Sequence, residues 1–299
     1  MGVSRIDLAD CGSPEKLVIE ILKAEPDLPI PVPIEQLAFQ LGITEIKLLE
    51  SDGFIGGLIT NAEKSTGVIL LHKDLRKGRR RFTVGHELGH LLMPMHVPSR
   101  DDRFLCSLND LLALDPKVAD RRMRWEAEAN RFASLMLVPP PLFRKEANEG
   151  KDPDLRQIVK LADRYEVSKE VAGRAYVDYR GEPIAFLITH EGRLLRSYRR
   201  KDHFPFITVK WGGEIPKNSL LLRKRHDVHV ASEIEETDSA AWLDVSRGTK
   251  APALFEQVYR QQKGYALVLL SIEEVEEDDE ADDSNWNRRN FKPYERDRP

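Results

Sequence analysis

His86-Glu87-Leu88-Gly89-His90 is a His-Glu-x-x-His run, set between Phe82-Thr83-Val84-Gly85 and Leu91-Leu92. On an α-helix, positions i and i+4 share a face, with Cβ atoms about 5–6 Å apart. Two imidazoles so placed can reach one Zn²⁺. The glutamate beside the first histidine then reaches the metal-bound water as general base. The spacing therefore points to the core of a zinc hydrolase, a chemistry used most often by peptidases.

The neighbours of the run support a packed helix. Leu88, Leu91 and Leu92 supply apolar surface beside the two histidines. Gly85 and Gly89 keep the helix slim and permit close approach of another element. Pro94 should end it, because proline removes a donor and clashes with the preceding turn. A catalytic tetrahedral zinc takes three protein ligands and leaves one position for water. The next long helix, expected from about Lys117 to Val138 behind the Asp115-Pro116 cap, brings Glu126 onto one face with Asn130, Ala133 and Leu137. Glu126 is the expected third ligand. Glu128, about 200° away around that helix, is the competing acid, and both cannot face one ion.

The rest of the chain reads as helix followed by sheet. Residues 14–24 repeat apolar groups at helical spacing behind Ser13 and Pro14, and Ile34 to Leu41 forms a short helix closed by Gly42. Ile46–Leu49, Ile55–Thr60 and Gly67–Leu71 have strand character. Residues 154–165 and 169–179 read as helix, turn, helix. Pro183–Thr189, Arg193–Tyr198, Phe206–Lys210 and Tyr265–Ile272 read as strands, and Phe255–Gln262 as a helix. The acidic run from Glu273 to Asp283 opens an expected disordered tail.

Composition narrows the class. The chain has 299 residues, of which 41% are apolar and 32% charged, enough for two well-formed cores under a solvated surface. A net charge of −4 argues against a protein that coats nucleic acid electrostatically. Cys11 and Cys106 imply no disulfide framework. No secretory signal or membrane span is legible, so a cytoplasmic protein without membrane contact is expected.

Arg81-Phe82-Thr83-Val84-Gly85-His86-Glu87-Leu88-Gly89-His90, then Glu126-Ala127-Glu128-Ala129-Asn130-Arg131-Phe132-Ala133 and Leu137-Val138-Pro139, resembles the ImmA/IrrE family of zinc metallo-endopeptidases. The resemblance implies an α+β fold. A zincin-like peptidase domain carrying the His-Glu-x-x-His helix and a small sheet would occupy 1–150. A helix-turn-helix-like segment at 151–180, a sheet-rich GAF-like domain at 181–272 and the acidic tail at 273–299 would follow. It implies one Zn²⁺ held by His86, His90 and Glu126, with Glu87 as the catalytic base. It also implies a protein substrate, a helix-turn-helix transcriptional repressor cut in a stress or mobile-element response. Ile55-Gly56-Gly57-Leu58 looks like the family's edge strand, open to an extended substrate by β-augmentation. Many members place a histidine soon after the second ligand; here Met93-Pro94-Met95 intervenes, and His96 receives no assigned role.

The remaining features read more simply. The Arg76–Arg81 run is expected to be a solvated turn before the helix, with Arg81 pairing a carboxylate, rather than a nucleic-acid patch. Residues 169–175 offer few donors for base edges, so direct DNA binding is not expected. Cys106, expected in the loop between the two metal helices, is a free thiol rather than a switch ligand. His226 and His229 lie among Arg223, Lys224 and Arg225, which would repel a second metal. The alternative function is a non-enzymatic regulator that uses its zinc structurally and acts by binding protein or DNA. The presence of Glu87 weighs against it, because a structural zinc has no use for a base there.

Overall fold

A computed structural model of the chain describes residues 2–50, 54–97, 103–106, 120–244 and 251–273. The expected tail and the Asp115-Pro116 cap lie outside them. The chain divides into two compact units, Met1–Glu146 with Lys160–Ala172, and Ala147–Val159 with Gly173 onward.

The first unit opens with α1 (Pro14–Ala24), where Ser13 Oγ accepts from the Lys16 amide and Pro14 occupies the first turn. Next comes α2 (Ile34–Gln40), followed by Gly42 at φ +105°, a left-handed position that suits glycine. Strands β1 (Ile43–Leu49), β2 (Gly56–Thr60) and β3 (Gly67–His72) lead into α3 (Lys77–Leu92), which carries the His-Glu-x-x-His run. The cationic run is thus the first turns of that helix and not a turn ahead of it. Arg80 pairs with Glu35 at 2.7 Å, Lys77 with Glu166 at 2.5 Å, and Arg81 lies 3.7 Å from Glu166. These carboxylates offset three cations placed where a helix terminus disfavours them.

Strand β4 (Arg103–Cys106) pairs antiparallel with β2, giving the sheet order β1-β3-β2-β4. This corrects two expectations. Cys106 ends a strand instead of lying in a loop. Strand β2 is no edge, because β3 takes one side of its ladder and β4 the other, with Gly56 opposite both Leu71 and Cys106. Four residues are too short a run to show a period, so β4 leaves no clear signal in the sequence.

Helix α4 (Arg121–Leu137) starts later than expected, because Asp120 is its cap and accepts from the Arg122 and Met123 amides. Pro139 and its neighbours stop it, and α5 (Pro140–Ala147) follows directly. Helices α3 and α4 touch at small residues. A Cβ on Gly85 would lie 3.2 Å from Ala133 Cβ, and one on Gly89 would lie 3.2 Å from Ala129 Cα and from Phe132 Cδ1. The helices α6 (Leu155–Tyr165) and α7 (Lys169–Tyr179) come next, joined by Glu166 at φ +53°.

The second unit is built on an antiparallel sheet of β5 (Ile184–His190), β6 (Arg193–Arg199), β7 (Glu235–Thr237), β8 (Leu254–Arg260) and β9 (Tyr265–Ile272), ordered β6-β5-β9-β8-β7. One face buries Ala185, Leu187, Val258, Val268 and Leu270 against Phe204, Ile215 and Trp242. The short helices α8 (Leu220–Arg223) and α9 (Ser239–Trp242) cover it, with Ser219 and Leu220 bonded to the buried carboxylate of Glu256. Two expectations fail here. The expected helix Phe255–Gln262 is, as far as Arg260, part of strand β8, since pairing of β8 with β9 along its whole length outweighs the ambiguous 3–4 spacing of Phe255, Val258 and Tyr259. Phe206–Lys210 holds a single bridge, Ile207 to Leu243, and forms no strand.

Gly85→Val should overpack the α3–α4 contact and lower unfolding free energy by about 1–3 kcal/mol or more. Urea titration reads the change; an unchanged midpoint with an unchanged slope would show that the contact is not tight.

Candidate metal centre

The site is made by two turns of α3 and two of α4. Because α3 has glycine where α4 has alanine, the helix backbones come close, and short-range polar groups can meet between them. His86, Glu87 and His90 are fully buried, and Glu126 is 5% exposed.

Three donor atoms converge. His86 Nε2 lies 3.1 Å from His90 Nε2 and 3.1 Å from Glu126 Oε2, and His90 Nε2 lies 3.5 Å from the same oxygen. Donors held tetrahedrally at about 2.0–2.1 Å from a zinc ion are about 3.3 Å apart. The triangle therefore fits such an ion, and the donor set of two imidazoles and one carboxylate fits the chemistry. Among the described residues, His86, His90 and Glu126 form the one such cluster of three metal-ligating side chains.

The three groups shift one another's protonation. Burial opposes ionisation of Glu126, but the two imidazoles facing it outweigh this and hold the carboxyl well below its usual range. Burial, reinforced by His86 and Lys64 against the pull of Glu126, brings His90 down to about 4. For His86, burial favours the neutral ring, while Glu126 and Glu87 pull harder the other way, so the net direction is upward.

Each histidine is also held from behind. His86 Nδ1 lies 2.9 Å from Asn130 Oδ1. His90 Nδ1 lies 3.0 Å from His96 Nδ1, and His96 Nε2 lies 2.9 Å from Glu128 Oε2. His96 is fully buried, and the Trp125 ring lies 5.6 Å from its own. Glu128, the rival of Glu126 by residue type, is thus turned toward His96 and away from the three-donor triangle. By sequence alone Asn130 counts only as a small residue and His96 has no role. Their side chains take on meaning once α4 is placed against α3.

Two further residues have roles that helical spacing does not disclose. Lys64, at φ +53° and 8% exposed, donates to the carbonyls of His90, Met93 and His96 at 2.7, 2.6 and 2.9 Å. It closes the C-terminal end of α3, where unpaired carbonyls gather negative charge. Gly56 of β2 sits against α3. A Cβ there would overlap Thr83 Cγ2 and come within 3.1 Å of Glu87 Oε1, so the strand backbone walls the Glu87 carboxylate. No residue type announces the first role. The Gly56-Gly57 pair does signal close backbone approach, but to the protein's own helix rather than to a substrate.

The secondary candidates do not join the centre. His226 Nε2 is bonded to the Leu220 carbonyl at 2.8 Å, and His229 Nδ1 lies 3.5 Å from the Tyr259 hydroxyl. Cys11 is buried.

With this geometry in hand, the chain can be set beside known proteins. Residues 51–176 match the family model of peptidase M78, the IrrE N-terminal-like domain. The radiation response metalloprotease IrrE of Deinococcus radiodurans is 29% identical over 135 residues, which is 45% of this chain and 38% of that protein. The match thus spans well under half of that relative's length. A Mycobacterium tuberculosis transcriptional regulator of known structure aligns with a TM-score of 0.48 at 14% identity, over 90% of this chain and 74% of that one. The likeness to the ImmA/IrrE family holds and is carried by the segment that contains both metal helices. No helix among the described residues is long and apolar enough to cross a membrane.

Lys64→Met should leave three buried carbonyls without their donor and cost about 3 kcal/mol of stability. Amide exchange should quicken first at the end of α3 and in residues 93–96. A variant within about 0.5 kcal/mol of the parent would show that the clip contributes nothing.

Proposed function

We propose that this relative of the ImmA/IrrE family is a zinc-dependent endopeptidase, with His86, His90 and Glu126 as metal ligands and Glu87 as catalytic base. The observation that carries the reading is the triangle of three donor atoms 3.1–3.5 Å apart, with a buried carboxylate one residue from the first of them. One zinc ion bound there would supply Lewis-acid polarisation of the scissile carbonyl and a water acidified to near neutral pKa.

The chain's own residues do the rest. Glu87 takes the proton of the attacking water and delivers it to the leaving amine. It needs a fixed position to do both, and the backbone at Gly56 and the methyl of Thr83 hold it on one side. Burial drives His90 to its neutral form, which keeps its nitrogen available as a donor. Asn130 accepts from the Nδ1 of His86 and so leaves its Nε2 for the metal.

The substrate in this reading is a protein, and by the family likeness a helix-turn-helix transcriptional repressor in the cytoplasm. The kinship with a radiation response metalloprotease supports a role in stress. Helices α6 and α7 supply the helix-turn-helix-like segment of the proposed domain plan, and the β5–β9 sheet the GAF-like one. Selectivity is assigned to that C-terminal part. Strand β4 already pairs with β2, so backbone capture of substrate on β2 forms no part of the proposal.

Glu87→Gln should keep metal and fold and lose peptide cleavage by about 10²–10⁴-fold. The assay incubates the zinc-loaded chain with a library of unstructured peptides and reads new termini by mass spectrometry. Equal cleavage by both proteins, or cleavage by neither, would sink the peptidase assignment. His90→Ala should purify without metal; one-to-one zinc in that variant would refute the ligand set.

A further inference from the structure

His96 has no place in the chemistry described so far, yet it is buried as completely as the proposed ligands. A neutral imidazole in such a position is expensive unless both ring nitrogens are used. Both are. One faces His90 and the other faces Glu128.

Carboxylates stand at both ends of this row, Glu128 at 2.9 Å from His96 Nε2 and Glu126 at 3.5 Å from His90 Nε2, and the closer contact sets the direction of its bonds. A carboxylate of Glu128 can only accept, and with it in that form His96 carries its proton on Nε2 and donates to Glu128. His96 Nδ1 is then an acceptor. The Nδ1 of His90, 3.0 Å away, must be the donor, and His90 is left with a bare lone pair on Nε2, the atom in the metal triangle. The geometry points to His96 and Glu128 as positioning residues that hold His90 in the Nδ1–H tautomer and so ready its Nε2 for the metal. The relay matches, one residue longer, what Asn130 does for His86 directly. Both anchors, Glu128 and Asn130, come from α4, two residues apart and following Glu126. One helix thus supplies a ligand and the orienting group behind each of the other two.

The loop that carries His96 is itself fixed. Lys64 holds the carbonyls on either side of it, at Met93 and at His96, and the Trp125 ring lies beside the imidazole. The His96 side chain is therefore delivered to His90 by a backbone with little freedom. A partner that orients a ligating histidine typically changes metal affinity by about 10–100-fold.

The inference rests on the metal reading proposed above, and two independent measurements separate the two. In the metal-free protein, long-range ¹H–¹⁵N spectra assign the tautomer of each buried histidine. His90 is expected as Nδ1–H in the parent, and as a mixture or as Nε2–H in His96→Phe and Glu128→Leu. Zinc and cobalt(II) affinities, by competition with a chelator, should fall about 10–100-fold in both variants. His96→Gln keeps an acceptor and a donor and should recover most of that loss. Urea unfolding of each variant separates a loosened fold from a lost relay, and Glu128→Leu, at a half-buried position, covers the case in which His96→Phe does not fold. Nε2–H on His90 in the parent would overturn the relay whether or not the chain binds zinc. So would parental metal affinity in Glu128→Leu. A parent with Nδ1–H on His90 but no affinity for zinc or cobalt would sink the metal reading instead.

Discussion

Everything at the site depends on how closely α3 and α4 approach. Polar side chains of two to five bonds in length have to meet within about 3 Å across a helix–helix interface, and ordinary helix pairs stand 8–10 Å apart at their axes. Gly85 against Ala133 and Gly89 against Ala129 remove the apolar bulk that would otherwise keep the pair at that distance. The glycines alternate with the histidines along α3, one position before each. The slim positions and the polar positions are therefore interleaved on neighbouring faces. A larger residue at either glycine would not remove a donor, but it would spread the triangle of donors beyond what one small ion can span.

A buried cluster of this kind carries a heavy desolvation cost, and the surrounding chain answers it bond by bond. Glu126 is stabilised as an anion by the two imidazoles, and the imidazoles are stabilised as donors by groups behind them. Lys64 closes the carbonyl end of α3 with a cation that reaches three acceptors at once. At the other end of the same helix three cations meet Glu35 and Glu166. The helix is thus pinned electrostatically at both termini and sterically in the middle. This explains how a segment with ten consecutive buried residues, three of them titratable, forms a well-packed helix.

Much of this arrangement is legible in the amino-acid sequence, and the reason is periodicity. The i, i+4 spacing of His86 and His90, and the shared face of Glu126 with Asn130 and Ala133, are local facts that helical geometry turns into direction. Ser13, Pro14 and Gly42 mark helix ends by mechanisms that need no partner. What the sequence conceals has a common character: it is decided by contacts far along the chain. Strand β4 exists because β2 offers it a ladder. Strand β8 is the exception: it has the spacing of a helix and becomes a strand because β9, next in the chain, pairs with it. His96 and Glu128 are 32 residues apart and meet only after both helices are in place. The start of α4 is misplaced for a simpler reason, since the Asp115-Pro116 pair suits a cap while Asp120 is the residue that caps α4.

The covering of β2 by β4 bears on how the site keeps its shape. A strand with one free edge next to the Glu87 carboxylate could shift its register or bend with each ligand that approached it. Here Gly56 is bonded into a ladder on both sides, opposite Leu71 and opposite Cys106. Its missing side chain lets the backbone itself press against Thr83 and Glu87. A wall made of main chain has no rotamers to change. It confines the proposed base more firmly than a packed side chain would. The three donors proposed for the metal owe their positions to two helices, and the proposed base owes its position to one helix and a strand. A sheet closed over by its own chain secures the second of these as the slim helix contact secures the first.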